Sequence, residues 1–271
     1  MTAVARPGDL DLAVALADRA DRPSDWYGLG RVNLGSLVLI VVRGDRDYGR
    51  MTRGRAPAWG AGFALPAARF ILIRADGDDP FRVLRHELAH LALHARVKGR
   101  VPLWFDEGYA VIAAGEFGRM AQLGLNLTVA RGRVPDLDGL SNGLRGDRST
   151  AEASYALAGA AVSYLAGRTA TRDLVPLISR LETGVPFDSA VTLTTGLNPG
   201  RFEEAWLRAA KRRYGWGLWF ASGGMWLVLG GLVVLAHFLR RRRDQPRREG
   251  LNVGWDVPTS DEEGPEAPPT A

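Results

Sequence analysis

The chain contains no cysteine. That absence removes disulfides, thiolate metal ligands and a cysteine nucleophile, while leaving the compartment open. Histidine is almost as scarce, with 4 in 271 residues. Imidazole chemistry is therefore restricted to His86, His90, His94 and His237. Residues Met1 to Asp25 hold no apolar run of signal-peptide length and are studded with Asp and Arg, so no cleavable export signal is expected within them. There is no internal repeat. No nucleic-acid-binding motif accompanies the net charge of +5. Much of that charge is local, in Lys211-Arg212-Arg213 and Arg240 to Arg243, and nucleic acid is not an expected partner.

Those two basic clusters flank the longest apolar block. Trp216 to Leu239 spans 24 residues, about 36 Å as a helix, against a hydrocarbon core of ~30 Å. Trp216, Trp219 and Phe220 gather at one end, where aromatic side chains favour the membrane interface. The pattern predicts a single membrane-spanning helix over 215–239 and a lipid bilayer as partner through 216–239. A globular domain over 1–214 precedes it, and a disordered basic-then-acidic tail over 240–271 follows. Six Arg lie between Arg240 and Arg248, against five Lys/Arg between Arg201 and Arg213. The positive-inside rule then favours a cytoplasmic tail and a domain on the exterior side of a single-pass membrane protein. Export of that domain requires a signal, and the expectation is that an in-frame start upstream of Met1 supplies it.

Within the globular part, Asp9 to Ala20 carries Leu and Ala at helical spacing. Leu37 to Val42 is an aliphatic, β-branched run bounded by Gly35 and Gly44, read as a buried strand. Gly49 to Gly62 reads as loop. Phe63 to Leu65 and Phe70 to Ile73 read as two strands of a hairpin joined through Pro66. A helix follows, capped by Asp78 or Asp79, with Pro80 in its first turn and an apolar stripe of Phe81, Leu84, Leu88 and Leu91; it ends near Lys98-Gly99. A second helix spans Leu103 to Ala114 and stops at Gly115. Residues 124–149 read as a long loop, and helices are expected over Tyr155–Ala166, Leu174–Leu181 and Pro199–Lys211. Strands first and helices after predict an α+β domain.

The first of these two helices carries His86-Glu87-Leu88-Ala89-His90, an H-E-x-x-H pentad. Two His four residues apart lie on one helical face, within reach of one metal ion, and Glu87 between them is placed to act as a base. A catalytic zinc needs three protein ligands and one open position. Trp104-Phe105-Asp106-Glu107-Gly108-Tyr109-Ala110 begins 14 residues after His90 and offers Glu107 from the second helix.

H-E-x-x-H followed by W-x-x-E-G-x-A resembles the gluzincins, and most closely the bacterial peptidase MA-like metallopeptidases. The resemblance covers Asp9 to Tyr214 and is strongest between Ala58 and Glu116. It implies a zinc ion held by His86, His90 and Glu107, with Glu87 as general base. It also implies two helices packed as an antiparallel pair below a small mixed sheet. The implied reaction is hydrolysis of a peptide or protein substrate by zinc-activated water. An edge strand would pair with the extended substrate, although the sequence does not identify which strand is the edge. By analogy with gluzincin tyrosines, Tyr155 is the candidate oxyanion donor, with a core tyrosine as the competing reading; Tyr109 reads as packing. His94 continues the face of His86 and His90, as a spare ligand, a gate or a satisfied surface histidine. Thermolysin-like members place an Asp four residues after the Glu ligand, where this chain has Val111, so Asp106 and Glu116 become the candidates for orienting the ligands. Family domains also usually begin with a strand before the first helix, whereas this chain starts almost at the helix, so a start further upstream is the expectation. Two other functions fit the same motif: a silent membrane-anchored binding module that retains the fold, and a zinc hydrolase of non-peptide amides. Oligomeric state and cleavage preference are not readable.

Overall fold

The structure, a computed structural model, describes residues 1–77, 79–117, 134–214 and 224–252. The chain divides into two units, Met1–Leu218 and Trp219–Ala271. Ten α-helices and a small mixed sheet make up the described residues, which is an α+β architecture.

In the first unit, β1 (Thr2–Val4) is followed by α1 (Leu10–Asp21) and a short antiparallel pair, β2 (Asp25–Trp26) and β3 (Gly30–Arg31). Then come β4 (Val38–Val42), α2 (Asp45–Thr52), β5 (Gly62–Leu65) and β6 (Phe70–Arg74). The main sheet is ordered β1-β4-β6-β5. β4 runs parallel to both β1 and β6, whereas β5 returns antiparallel to β6 through a 3-10 turn at Pro66–Ala68. Side chains alternate between the two faces of a strand, and this alternation splits the core. Leu39, Val41, Ile71 and Ile73 join the main core with α1, while Val42 and Leu72 pack with Tyr48 of α2. Burial on both faces explains why Leu37 to Val42 is continuously apolar.

Helix α3 (Pro80–Arg96) starts where expected: the Asp79 carboxylate accepts from the Arg82 N–H at 3.1 Å and Pro80 occupies the first turn. The alternative cap, Asp78, lies outside the described residues. Leu84, Leu88 and Leu91 are buried, so α3 packs beneath β5 and β6 and beside α1. Helix α4 (Leu103–Ala114) packs against α3 and ends at Gly115, whose φ of 76° is the left-handed cap. Helices α5 (Leu137–Gly143), α6 (Arg148–Ala166), α7 (Val175–Glu182), α8 (Phe187–Thr195) and α9 (Pro199–Tyr214) complete the unit. The closest of their packings sets α6 on α4. A Cβ on Gly108 would lie 2.6 Å from the Ala158 carbonyl carbon and nearer still to its oxygen.

Several expectations are corrected. The loop expected over Gly49–Gly62 begins inside α2, whose first turn carries Asp45 and Asp47 and whose Tyr48 and Thr52 are buried one turn apart. Within 124–149, residues 134 onward hold α5 and the start of α6, capped by Asp147, while 118–133 lie outside the described residues. Helix α8 was not expected, although Phe187, Ala190 and Val191 fall at helical spacing and are buried. Strand β1 supplies the strand before the first helix.

In the second unit, α10 (Gly224–Asn252) continues through Arg240 to Arg243, so its last part occupies residues expected to be disordered. Among the described residues, no helix is long and apolar enough to cross a membrane. The first nine residues of the expected span, 215–223, lie outside the described residues.

Candidate metal centre

Helix α3 presents His86, His90 and His94 toward α4, and α4 answers with Asp106 and Glu107 in its first turns, while Glu87 lies against β5. The Glu107 Oε2 atom lies 3.3 Å from His86 Nε2 and 3.4 Å from His90 Nε2. One ligand atom from each of these three residues lies within 4.8 Å of the others. The imidazoles meet edge to face, with ring centroids 5.0 Å apart.

The outer nitrogens are occupied. His86 Nδ1 is 3.1 Å from Glu116 Oε2, and His90 Nδ1 is 2.7 Å from Asp106 Oδ1. Each carboxylate accepts a hydrogen bond from Nδ1–H, which orients both rings so that each Nε2 faces Glu107. Both orienting carboxylates suggested by the sequence are therefore in place. Glu116 reaches His86 because of how α4 ends. The Glu116 N–H bonds the Val111 carbonyl and the Gly115 N–H bonds the Ile112 carbonyl, both at 3.0 Å, a paired pattern that turns the chain back beside the helix. Val111, at the position where thermolysin-like proteins carry an Asp, is buried.

The donor set fits zinc. Tetrahedral ligands at about 2.0–2.1 Å from an ion stand ~3.3–3.4 Å from one another, the spacing of the Glu107 oxygen to both ring nitrogens. Charge points the same way, since Glu87, Asp106, Glu107 and Glu116 surround the two ligand imidazoles. Burial opposes a charge on His86, but Glu107 and Glu116 push its pKa up to about 10. His90 is likewise raised against burial, by Asp106 and Glu107. Burial would raise Glu107, yet His90 and His86 hold it down to about 2. Without an ion these carboxylates draw protons onto the rings; a divalent cation would take over that positive charge.

Glu87 is buried, and burial raises it to about 7, with His86 and His90 pulling the other way. The edge strand β5 covers it: a Cβ on Gly62 would fall 2.5 Å from both Glu87 Oε1 and Val83 Cγ1. Only a glycine lets the strand pass this close. The sequence reading missed Gly62, together with Tyr48, whose hydroxyl donates to the Gly62 carbonyl at 2.6 Å. A glycine directly before the apolar Phe63-Ala64-Leu65 was the available signal.

A model of the Peptidase MA superfamily matches residues 54–211. The chain belongs to this superfamily. The match takes in β5, β6 and helices α3 to α8, and with them every residue of the metal centre. Peptidase MA proteins are generally zinc-dependent, in keeping with the two His and one Glu brought together here. Among curated proteins, none matches the chain.

The other candidates fall on both sides of the site. Tyr155, on α6, stands edge-on to His86 with ring centroids 6.0 Å apart. Burial first, and then Glu107 and Glu87, push its phenol up, so it stays protonated. Tyr109 is fully buried and its hydroxyl has no partner among the described residues, which fits packing. His94 Nε2 is 2.8 Å from Asp106 Oδ2, so it is a satisfied histidine and lies outside the ligand trio.

Proposed function

We propose that the protein is a zinc-dependent peptidase that hydrolyses peptide bonds. The observation that carries this reading is the convergence of His86 Nε2 and His90 Nε2 on Glu107 Oε2 at 3.3 and 3.4 Å, with Glu87 buried beside them. A zinc ion held by His86, His90 and Glu107 would supply Lewis acidity toward a peptide carbonyl and lower the pKa of water. Glu87 accepts a proton from the attacking water and passes it to the departing amine, as the C–O bond forms and the C–N bond breaks. Asp106 and Glu116 keep the two imidazoles oriented throughout. The Tyr155 hydroxyl is the proposed donor to the carbonyl oxygen as it gains charge.

The peptide lies along β5, the sheet edge nearest Glu87. The Arg74 N–H bonds the Ala61 carbonyl, so in the antiparallel alternation Gly62 and Ala64 turn their backbone groups outward. Tyr48 already occupies the Gly62 carbonyl. The outward groups left for an extended substrate are therefore the Gly62 N–H and both groups of Ala64.

Glu87→Gln in the full chain should retain zinc and lose about 10²–10⁴-fold in turnover of a peptide library. Glu107→Ala should lose the metal. A wild-type protein purified without zinc and unable to take it up refutes the assignment; full turnover by Glu87→Gln removes Glu87 as the base.

Membrane attachment through residues 216–239, with the peptidase domain on the exterior side, is proposed on the apolar block and its flanking arginines. In support, Trp226, Leu227, Val233 and Leu235 of α10 are all exposed, a surface that water does not favour. Recovery of the full chain in the soluble fraction without detergent refutes the attachment.

A further inference from the structure

The metal centre does not end at the residues that orient the ligands. Asp106 uses both of its oxygens: Oδ1 holds His90 Nδ1 at 2.7 Å and Oδ2 holds His94 Nε2 at 2.8 Å. One carboxylate thus joins two histidines of α3 that lie one turn apart. It does so from the residue next to the Glu107 ligand, so it also stitches α4 to α3 where the two helices share the site. Asp106 is mostly buried, with 19% of its side chain exposed, and His94 is the more accessible of the pair at 29%. A carboxylate held at one oxygen only could rotate about its last torsion. Held at both, it has a single orientation and fixes the ring plane and the tautomer of His90.

We infer that His94 is a positioning residue of the metal centre: it locks Asp106, and through Asp106 it aims His90 Nε2 at the metal. The inference rests on the zinc reading above and explains a histidine that no ligand role requires. His94 acts only as a donor from Nε2, so another donor of equal reach replaces it. A glutamine fits that description, since its amide nitrogen sits about as far from the backbone as a histidine Nε2, whereas alanine leaves Asp106 Oδ2 without a partner. Removing a residue that directly orients a metal-bound histidine weakens metal binding by about 10–100-fold. His94 acts one bond network further out, and about 3–10-fold is expected.

The test measures zinc affinity of the full chain by chelator competition, together with the visible spectrum of the cobalt-loaded protein, in wild type, His94→Ala, His94→Gln, Asp106→Ala and the His94→Ala/Asp106→Ala double variant. His94→Ala should bind zinc about 3–10-fold more weakly and shift the cobalt bands. His94→Gln should restore both. The double variant should match Asp106→Ala alone, because His94 has no other route to the metal. Equal affinity and an unshifted spectrum in His94→Ala overturn the inference while leaving the zinc reading intact. Additive losses in the double variant overturn it as well, since they assign His94 a separate structural effect. Failure of the wild type to bind zinc overturns both readings together.

Discussion

Gly108 is where the metal centre depends most directly on helix packing. It follows the proposed ligand Glu107 and faces α6, and a methyl group there would fall 2.6 Å from the Ala158 carbonyl carbon, against backbone that cannot rotate away. Ordinary contact begins near 3.4 Å, so Gly108→Ala forces α4 and α6 apart by about 1 Å. Overpacking of this kind costs about 1–3 kcal/mol, and the stiff backbone places Gly108 at the upper end. Alanine's better helix propensity returns about 1 kcal/mol, leaving a net loss near 2 kcal/mol. For a domain of this size that lowers Tm by about 4–8 °C. Gly49→Ala is the matched control. Gly49 lies in α2, is exposed and has no atom within 4 Å of the added methyl, so the same substitution should stabilise by about 0.5–1 kcal/mol. Thermal unfolding of the two variants, followed by circular dichroism, should therefore give shifts of opposite sign. Because α6 carries Tyr155, Gly108→Ala should also reduce turnover by more than its stability loss explains while zinc is retained. A Gly108→Ala protein as stable as wild type would refute the packing argument.

Two further outcomes follow from the same site. Gly62→Ala drives a methyl against Glu87 Oε1 and Val83 Cγ1, both 2.5 Å away, so kcat should fall with zinc content unchanged; retained kcat would show that β5 does not constrain the base. The metal-free protein should lose stability as pH rises. The pKa of His86 is raised from 6.5 to about 10 on folding, so its contribution is complete below pH 6.5 and disappears as pH climbs through about 10. Urea midpoints of chelator-treated protein at pH 6.5 and 9.5 should show this decline, and His86→Gln should reduce it, leaving the share that belongs to His90. An equal decline in both would assign the effect elsewhere.

What the sequence disclosed of the site was the part written in local spacing. His86, Glu87 and His90 sit on one turn of a helix whose cap at Asp79 and Pro80 is itself a sequence signal, and Gly115 marked the end of α4 to the residue. Asp106 and Glu116 were readable as candidates but not as partners of particular rings. Their pairing depends on the rotation of α4 against α3 and on the reversal at Gly115, which no spacing rule encodes. Tyr48 was hidden for a different reason: it comes from a short helix in which Asp45, Asp47, Gly49 and Thr52 give poor propensity, and whose formation relies on burying Tyr48 and Thr52. The role of Gly62 is one of close approach, visible only when β5 and α3 are superposed. Among the helices, α8 was overlooked although its apolar spacing was present, whereas β1 is three residues long and exists through pairing with β4.

Every group that touches the proposed ion, or orients one that does, falls between His86 and Glu116 on a single helical hairpin. The chain segment that must be ordered to create the site is therefore short, and closing it sacrifices little chain entropy. A zinc ion held there would cross-link α3 to α4 across a connection of only 97–102, tying the two helices together at the site itself.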